Sequence, residues 1–263
     1  RERTRCAMTG RGKYGMSLEE MRTMEETFPA GLEQPAGSFR FSSDALLLAD
    51  FALESSLPEN AVFADLGTGC GVVALGVLRR RARWRGAGLE IQPELAAAAA
   101  RNASGLGLSE RFRVVAGSVT DFSSLRRLRA AFEDAPANER GAAALPLFDA
   151  VFCNPPWRRE GAGRVPPSSM RRTALFGTGD TFPSFFAAAD AVLKNGGRFM
   201  LVSGAERTAD VLAALPSRLH AEHLRFVFTR RNAPAAFVLL AARKNGRASL
   251  RVDRLDISDS SSR

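Results

Sequence analysis

The chain has 263 residues, of which 45% are apolar, 25% are charged and 8% are aromatic. A chain of this composition can bury enough apolar surface to offset chain entropy, which excludes disorder throughout. The longest clean apolar run, residues 235–242, is less than half of the length that a membrane-spanning helix requires. The net charge of +9 suits a polyanionic partner such as nucleic acid, although an arginine- and alanine-rich composition is also typical of a GC-rich genome.

Short apolar runs alternate with longer amphipathic segments along most of the chain. Seven runs are predicted to be strands, at residues 61–66, 86–90, 112–116, 148–153, 198–202, 224–228 and 236–241. Predicted helices occupy residues 44–54, 71–83, 93–106, 124–132, 183–193 and 205–215. Several strands are apolar on both faces, as buried parallel strands must be. We therefore predict an α/β fold over residues 31–257, with a Rossmann-like, doubly wound sheet of seven mostly parallel strands.

The segments outside this alternation have different characters. Only residues 229–234 join the last two strands, which should therefore form an antiparallel hairpin at one end of the sheet. Residues 134–146 resemble a surface insertion, and residues 158–180 form a long segment rich in Gly, Pro, Ser and Arg. We expect residues 1–30 to be a basic, partly helical extension and residues 258–263 to be a disordered tail.

The cysteines bear on metal binding and on location. Cys6, Cys70 and Cys153 are widely spaced and include no CxxC pair, which indicates neither a zinc site nor a disulfide framework. The basic N-terminus lacks the apolar segment of a secretory signal. These features favour a cytoplasmic protein with reduced thiols and no metal.

A glycine-rich run, DLGTGCG at residues 65–71, follows the first predicted strand. Glycines permit a tight turn and let the backbone approach a ligand closely. The spacing differs from the dinucleotide fingerprint, and no GK[ST] follows as in a Walker loop. The run therefore predicts a ligand site without a pyrophosphate, and the alternative is a plain strand-to-helix turn.

Two acidic side chains follow the next two strands. Glu90 ends the second strand, where a carboxylate can accept both hydroxyls of a ribose. Asp121 follows the third strand beside Phe122, and its carboxylate can accept a hydrogen bond from an adenine amine next to an apolar wall. Either residue alone could be an ordinary exposed carboxylate. Together with the glycine loop, they predict a nucleoside-shaped crevice at one edge of the sheet, which S-adenosylmethionine would fit.

The fourth strand runs directly into the motif NPPW, residues 154–157. Two consecutive prolines make this turn stiff. The side-chain oxygen of Asn154 and the carbonyl of Pro155 can accept both hydrogens of a planar amino group, while Trp157 offers a face for stacking. An amine held in this way aims its lone pair at a sulfonium methyl without a strong general base. The motif favours methyl transfer to an amino nitrogen, and the alternative is a stiff turn with a packing tryptophan.

These motifs carry a family resemblance. DLGTGCG, the acidic end of the second strand, GSVTDF and FCNPPW together resemble class I S-adenosylmethionine-dependent methyltransferases that methylate amino groups. The segment FRFSSDALLLA, residues 39–49, is similar to the opening motif of the bacterial tRNA adenine-N6 methyltransferase family that modifies a valine tRNA. The resemblance covers residues 32–244. It implies S-adenosyl-L-methionine as the cofactor and tRNA as the partner.

The resemblance also implies roles for matching residues. Seven would contact the cofactor: Ser43 and Asp44 near the entrance of its pocket, Asp65, Gly67 and Gly69 at its methionine end, Glu90 at the ribose and Asp121 at the adenine amine. Three would be catalytic and position the acceptor: Asn154, Pro155 and Trp157. The family more usually carries Tyr or Phe in place of Trp157, which preserves stacking but alters the width of the pocket.

Arginines are concentrated in two places. One set follows Trp157 and would surround the acceptor site, where phosphate contacts could position a nucleic acid: Arg158, Arg159, Arg164, Arg171 and Arg172. A mobile polar loop is the alternative reading. The second set lies within residues 79–85, at the end of a predicted helix, and could contact RNA, complement the helix dipole or be solvated.

We therefore expect a methyltransferase acting on an exocyclic amino nitrogen, with adenine N6 in tRNA or another structured RNA as the acceptor. The target base would have to be flipped out of its stack. An amide fits the same acceptor pair, so a protein glutamine N5-methyltransferase of the release-factor type is an alternative. A non-catalytic RNA-binding relative is a further alternative, against which the intact NPPW motif argues.

Overall fold

The computed structural model describes residues 28–36, 38, 41, 43–133, 147–156, 181–247 and 249–257, and the backbone of residues 158–159 and 176–177. In these ranges, helices α1–α6 are Ser43–Leu53, Val72–Arg80, Pro93–Gly105, Phe122–Arg129, Thr181–Val192 and Thr208–Ala213. Strands β1–β10 are Val62–Leu66, Arg85–Glu90, Phe112–Ala116, Phe148–Cys153, Arg158–Arg159, Phe176–Gly177, Leu193–Gly204, Leu219–Phe228, Phe237–Lys244 and Arg251–Asp256. The insertion predicted at residues 134–146, the tail at 258–263 and residues 1–27 of the predicted extension lie outside the described residues.

The main sheet positions the site. Its strand order is β10-β8-β9-β7-β4-β1-β2-β3, with parallel pairing from β7 through β3 and with β9 antiparallel to β7 and β8. The chain order reverses between β1 and β4, and ligands of open α/β sheets bind at such a switch point, beyond the carboxyl ends of the strands. The predicted Rossmann-like, doubly wound α/β fold and the antiparallel β8–β9 hairpin are confirmed.

The number of strands is a correction to the sequence-based prediction, because the main sheet has eight strands and not seven. The additional strand, β10, pairs in parallel with β8, so the β8–β9 hairpin does not end the sheet. Only Val252 and Leu255 are large apolar residues in the sequence of β10, RVDRLD. An exposed edge strand needs no continuous apolar run, and for that reason the sequence pattern did not reveal it.

The helices cover both faces of the sheet. Helices α1–α3 pack on one face around Phe63, Phe152 and Met200, and helices α4–α6 pack on the other around Phe186 and Phe199. Both clusters consist mostly of buried strand and helix residues, as the apolar strand sequences predicted. None of the helices in the described part of the chain is long and apolar enough to cross a membrane.

The second set of arginines lies at the edge of the sheet opposite to the switch-point loops, because α2 ends and β2 begins there. Each of its five arginines contacts the protein itself, through a carboxylate, a carbonyl or an aromatic ring. The contacts are Arg79 on the Phe28 ring, Arg80 on Asp50, Arg81 on the Leu53 carbonyl, Arg83 on Glu59 and Arg85 on the Phe132 ring. These contacts favour a role of the run within the fold.

Candidate cofactor and acceptor site

The glycine loop turns the chain from β1 into α2 at the carboxyl edge of the sheet. Gly67, Gly69 and Gly71 have φ angles of 71°, 57° and 90°, a region that residues with a Cβ rarely adopt. The N–H groups of Gly67 and Thr68 donate to the Leu89 carbonyl at 2.8 and 3.1 Å, which fastens the loop to β2. A Cβ on Gly69 would meet no atom within 4 Å, so a ligand has room to approach the loop there.

Asp65 lies near the end of β1 and is almost completely buried. Its Oδ2 accepts a hydrogen bond from the Thr68 hydroxyl at 2.6 Å. Burial raises the pKa of Asp65 to about 7, against the lowering effect of the bonds from Thr68 and the Ala74 backbone, and the charge of Glu90 adds to the rise. A buried carboxylate of this kind is suited to a cationic partner, which would restore its ionised form.

Glu90 is also buried and joins the end of β2 to the glycine loop. Its Oε2 accepts from the Gly69 N–H and its Oε1 from the Gln92 N–H, both at 2.9 Å. Burial raises the pKa of Glu90 above its ordinary value. A carboxylate can accept about four hydrogen bonds, and the backbone of Gly69, Gln92 and Ile91 supplies three, so Glu90 retains capacity for a ligand hydroxyl.

Asp121 caps the start of α4, a role that the sequence analysis did not assign to it. Its Oδ2 accepts from the Ser123 hydroxyl and from the hydroxyl and N–H of Ser124, at 2.6–3.0 Å, and its Oδ1 accepts from the Ser123 N–H at 3.1 Å. The hydrogen bonds from Ser124 and Ser123 lower the pKa of Asp121 to about 2. Because Oδ2 already accepts three bonds, Oδ1 is the atom with capacity for an adenine amine.

Two large apolar side chains stand exposed next to these acidic residues. Ile91 follows Glu90 and is 57% exposed, and Phe122 follows Asp121 and is 66% exposed. Apolar surface at a crevice is stabilised when a flat ligand covers it. The exposure of Phe122 is compatible with the apolar wall predicted from the sequence, and its contact with a ligand stays a prediction. Ile91 was not predicted, although its position directly after Glu90 was an available signal.

The acceptor motif lies beside the glycine loop. In the β1–β4 register Leu66 is opposite Cys153, so Gly67 and Asn154 leave neighbouring strands at the same level. Pro155 is buried and Asn154 is partly exposed. Trp157 lies outside the described residues, and its stacking role stays a prediction.

The segment before α1 is fastened to the glycine loop by Asn102, a fully buried residue of α3. Its Nδ2 donates to the carbonyls of Glu33 and Cys70 at 3.0 and 2.9 Å, and its Oδ1 accepts from the Glu33 N–H at 2.7 Å. Arg101 adds two hydrogen bonds to the Glu33 carboxylate. Asn102 was not predicted, although one Asn within an alanine-rich buried helix face is a weak sequence signal.

Helix α1 begins with two predicted site residues in different environments. Ser43 is exposed, whereas Asp44 is only 3% exposed. Asp44 Oδ1 accepts from the Ala45 N–H at 2.9 Å, and its Oδ2 accepts from Nδ2 of Asn154 at 3.2 Å. The structure therefore brings Asp44 to the acceptor motif.

The arginines predicted to contact RNA are only partly described. Arg158–Arg159 forms strand β5, which pairs in parallel with β6 in a separate two-stranded sheet directly after the NPPW motif. Nothing is described of these two side chains, and Arg164, Arg171 and Arg172 lie outside the described residues. Their phosphate contacts stay a prediction.

Among the described residues, Cys70 and Cys153 are buried and His223 is paired, while His220 is exposed. Cys70 and Cys153 are free, buried thiols, and burial raises the pKa of Cys70 to about 11 and that of Cys153 well above its usual value. Such thiols are poor nucleophiles at neutral pH. His223 lies within β8, 3.0 Å from Asp253 of β10. Within the described ranges, no group of three or more His, Cys, Asp and Glu side chains could hold a metal ion.

Comparisons with known proteins point to one class of enzyme. No family model matches the chain. The chain is 27% identical over 202 residues to the tRNA1(Val) (adenine(37)-N6)-methyltransferases of two Porphyromonas gingivalis strains, and the match covers 76% of this chain and 69% of each relative. An Agrobacterium tumefaciens protein named a predicted O-methyltransferase is 25% identical with a TM-score of 0.59, over 83% of this chain and 89% of that one.

Two further solved structures share the fold. TrmN from Thermus thermophilus is 20% identical with a TM-score of 0.51, over 76% of this chain and 48% of that one. A Listeria monocytogenes protein described as a class I S-adenosylmethionine-dependent methyltransferase is 12% identical with a TM-score of 0.58, over 92% of this chain and 73% of that one.

The buried carboxylates, the open face of the glycine loop and the exposed apolar walls fit S-adenosyl-L-methionine. The chain is an S-adenosylmethionine-dependent methyltransferase, and its sequence is similar to those of the tRNA1(Val) (adenine(37)-N6)-methyltransferases.

Proposed function

We propose that this enzyme methylates the exocyclic N6 of an adenine in tRNA or another structured RNA. The observation that carries the proposal is the β1–β4 register, in which Leu66 lies opposite Cys153. It sets the glycine loop beside Asn154, so a cofactor on that loop and an amine on that motif would be neighbours. Close, oriented reactants account for a large part of the catalytic effect in such transfers.

Five side chains around the crevice would hold the cofactor. Asp65 would pair with the ammonium group at the methionine end, and Glu90 would accept the two ribose hydroxyls. Oδ1 of Asp121 would accept from the adenine amine, while Ile91 and Phe122 would cover apolar surface of the base. When bound, S-adenosyl-L-methionine supplies an electrophilic methyl group on a positively charged sulfur. Ser43 is exposed at the start of α1, where it would lie at the entrance to this pocket.

Asn154 and Pro155 would hold the acceptor amine. Oδ1 of Asn154 and the Pro155 carbonyl each accept one hydrogen of a planar amino group, which leaves the nitrogen lone pair facing the methyl group. Trp157 would stack on the flipped base. Because orientation makes the nitrogen reactive, these residues need no strong general base.

Several features together favour RNA as the acceptor. The curated relatives are named as tRNA methyltransferases. The arginines after Trp157 follow the acceptor motif directly, where phosphate contacts would orient an RNA: Arg158, Arg159, Arg164, Arg171 and Arg172. We further propose that residues 31–257 form the methyltransferase domain, that residues 1–30 are a basic extension, and that the enzyme acts in the cytoplasm.

The proposal is tested by label transfer. The protein would be incubated with methyl-labelled S-adenosyl-L-methionine and either bulk tRNA from a strain that lacks the gene or total protein from that strain. We expect label in the RNA fraction. Label in the protein fraction alone would favour glutamine as the acceptor, and label in neither fraction would contradict both.

A further inference from the structure

We propose that Asp44 is a positioning residue for the methyl acceptor rather than a contact of the cofactor. It would act through Asn154, by turning the Asn154 amide so that its oxygen faces the acceptor amine. This inference rests on the proposed function, in which Oδ1 of Asn154 accepts one of the amine hydrogens.

The contact between the two residues is direct. Oδ2 of Asp44 accepts a hydrogen bond from Nδ2 of Asn154 at 3.2 Å, across 110 residues of sequence. Oδ1 of Asp44 accepts from the Ala45 N–H at 2.9 Å, which fixes the plane of the carboxylate at the start of α1. Only 3% of Asp44 is exposed, so little of this carboxylate is available to solvent.

The chemistry of an amide makes this contact decisive. The Asn154 side chain has a donor end and an acceptor end of nearly the same shape, and rotation by 180° exchanges them. With the NH₂ end outward, donors would face the donors of an acceptor amine. An ionised carboxylate can only accept hydrogen bonds, so Asp44 selects the orientation in which the NH₂ end is inward and the oxygen is outward.

The surroundings of Asp44 hold it in place. Helix α1 buries Ala45, Leu48, Ala49 and Ala52 in the core. A carboxylate attached to such a helix is a rigid reference for the partly exposed Asn154, because well-packed helices move less than loops.

The test is a double-mutant cycle with Asp44→Asn and Asn154→Ser, measured on methylation of the RNA labelled by the wild-type enzyme. For each variant, single-turnover rates at saturating cofactor and the cofactor dissociation constant by calorimetry would be compared. Asp50→Asn is the matched control, since Asp50 is on the same helix but pairs with Arg80 at the surface. If Asp44→Asn does not fold, Asp44→Ser retains an acceptor at this position and replaces it in the cycle.

We expect Asp44→Asn to lower the rate about 10- to 100-fold with the cofactor dissociation constant unchanged. In the Asn154→Ser background the same change should have little further effect, because its target is already absent. Rate losses that multiply in the double variant, or weaker cofactor binding with an unchanged saturated rate, would overturn the assignment. The wild-type reaction is measured first, so an enzyme that does not methylate RNA contradicts the proposed function and not the link between Asp44 and Asn154.

Discussion

The two edges of the parallel sheet differ in the sign of their charged side chains and in how those side chains are partnered. At the amino edge, Arg80 and Arg83 pair with carboxylates, and Arg111 donates to the carbonyls of Leu78, Arg81 and Trp84 near the end of α2. At the carboxyl edge, Asp65 and Glu90 are buried together, and burial raises both of their pKa values. Arg80, Arg83 and Arg111 are partnered within the protein at the amino edge, whereas Asp65 and Glu90 at the carboxyl edge have no cationic side-chain partner among the described residues.

This difference shows that the positions of charged residues say more about a functional site than the net charge of the chain does. The arginines in residues 79–85 contribute to the net charge of +9, yet each contacts the protein itself. Buried carboxylates with raised pKa values are costly to the fold unless a ligand compensates for them. We therefore propose the carboxyl edge as the location of the functional site.

The largest effect is expected for Asn154→Ala. Loss of the acceptor oxygen should lower the methylation rate by about 100- to 1,000-fold, since the amine would no longer be oriented. Cofactor affinity, measured by calorimetry, should remain as in the wild type. Methylation at the wild-type rate would remove Asn154 from the mechanism.

Asp65 should make cofactor affinity depend on pH. Because the pKa of Asp65 is about 7 in the free protein, a cationic ligand must displace its proton at lower pH. Affinity should therefore rise by up to about tenfold per unit between pH 5.5 and 7, and the proton released should appear in calorimetry across buffers of different ionisation enthalpy.

The Asp65→Asn variant provides the control. Its cofactor affinity should be low and should lose most of the pH dependence, with only the contribution of Glu90 left. The folded-state pKa lies above the ordinary value, so ionised Asp65 makes the protein less stable as pH rises from about 4 to 7, and the variant should lose less stability over that range. An unchanged pH dependence in the variant would exclude Asp65 as the titrating group.

Glu90→Ala should weaken cofactor binding about 10- to 100-fold, because two hydrogen bonds to a charged group are lost. Glu59→Ala is the matched control at the amino edge, where Glu59 pairs with Arg83 at the surface. Calorimetry should show that the cofactor affinity of the Glu59→Ala control equals that of the wild type. Equal affinities for both variants would contradict the ribose assignment.

Ile91→Ala and Phe122→Ala should each weaken cofactor binding about three- to tenfold through lost apolar contact. Both side chains are exposed, so the melting temperature of the cofactor-free protein should change little. A large drop in stability without a change in affinity would assign them to packing instead.

The smallest effect is expected for Arg83→Ala at the amino edge. The exposed pair with Glu59 should contribute less than about 1 kcal/mol to stability, and RNA affinity in gel-shift or fluorescence titrations should be unchanged. Arg164→Ala and Arg171→Ala in the segment after Trp157 should weaken RNA binding and reduce its salt dependence. If Arg83→Ala weakened RNA binding and the Arg164 and Arg171 variants did not, the RNA surface would lie at the amino edge.

The alternation of apolar runs and amphipathic segments predicted the fold. The candidate site could be placed at the carboxyl edge of the sheet because polar and acidic residues stand where the buried strands end. Glu90 and Asn154 could be placed by reading where β2 and β4 end. Long-range contacts could not be read in this way: Asn102 bonds to Glu33 across 69 residues and Asp44 to Asn154 across 110. Asp121 had a local signal, since the two serines after it are suited to a helix cap, and this signal competes with its predicted ligand role.

The central claim is methyl transfer to adenine N6, and nucleoside analysis tests it most directly. tRNA from a strain that lacks the gene would be treated with the wild-type enzyme and S-adenosyl-L-methionine, digested to nucleosides and examined by mass spectrometry. We predict that N6-methyladenosine increases with the wild-type enzyme and does not increase with Asn154→Ala. A methyl group on another nucleoside, or N5-methylglutamine in a protein fraction with unmodified tRNA, would contradict the account.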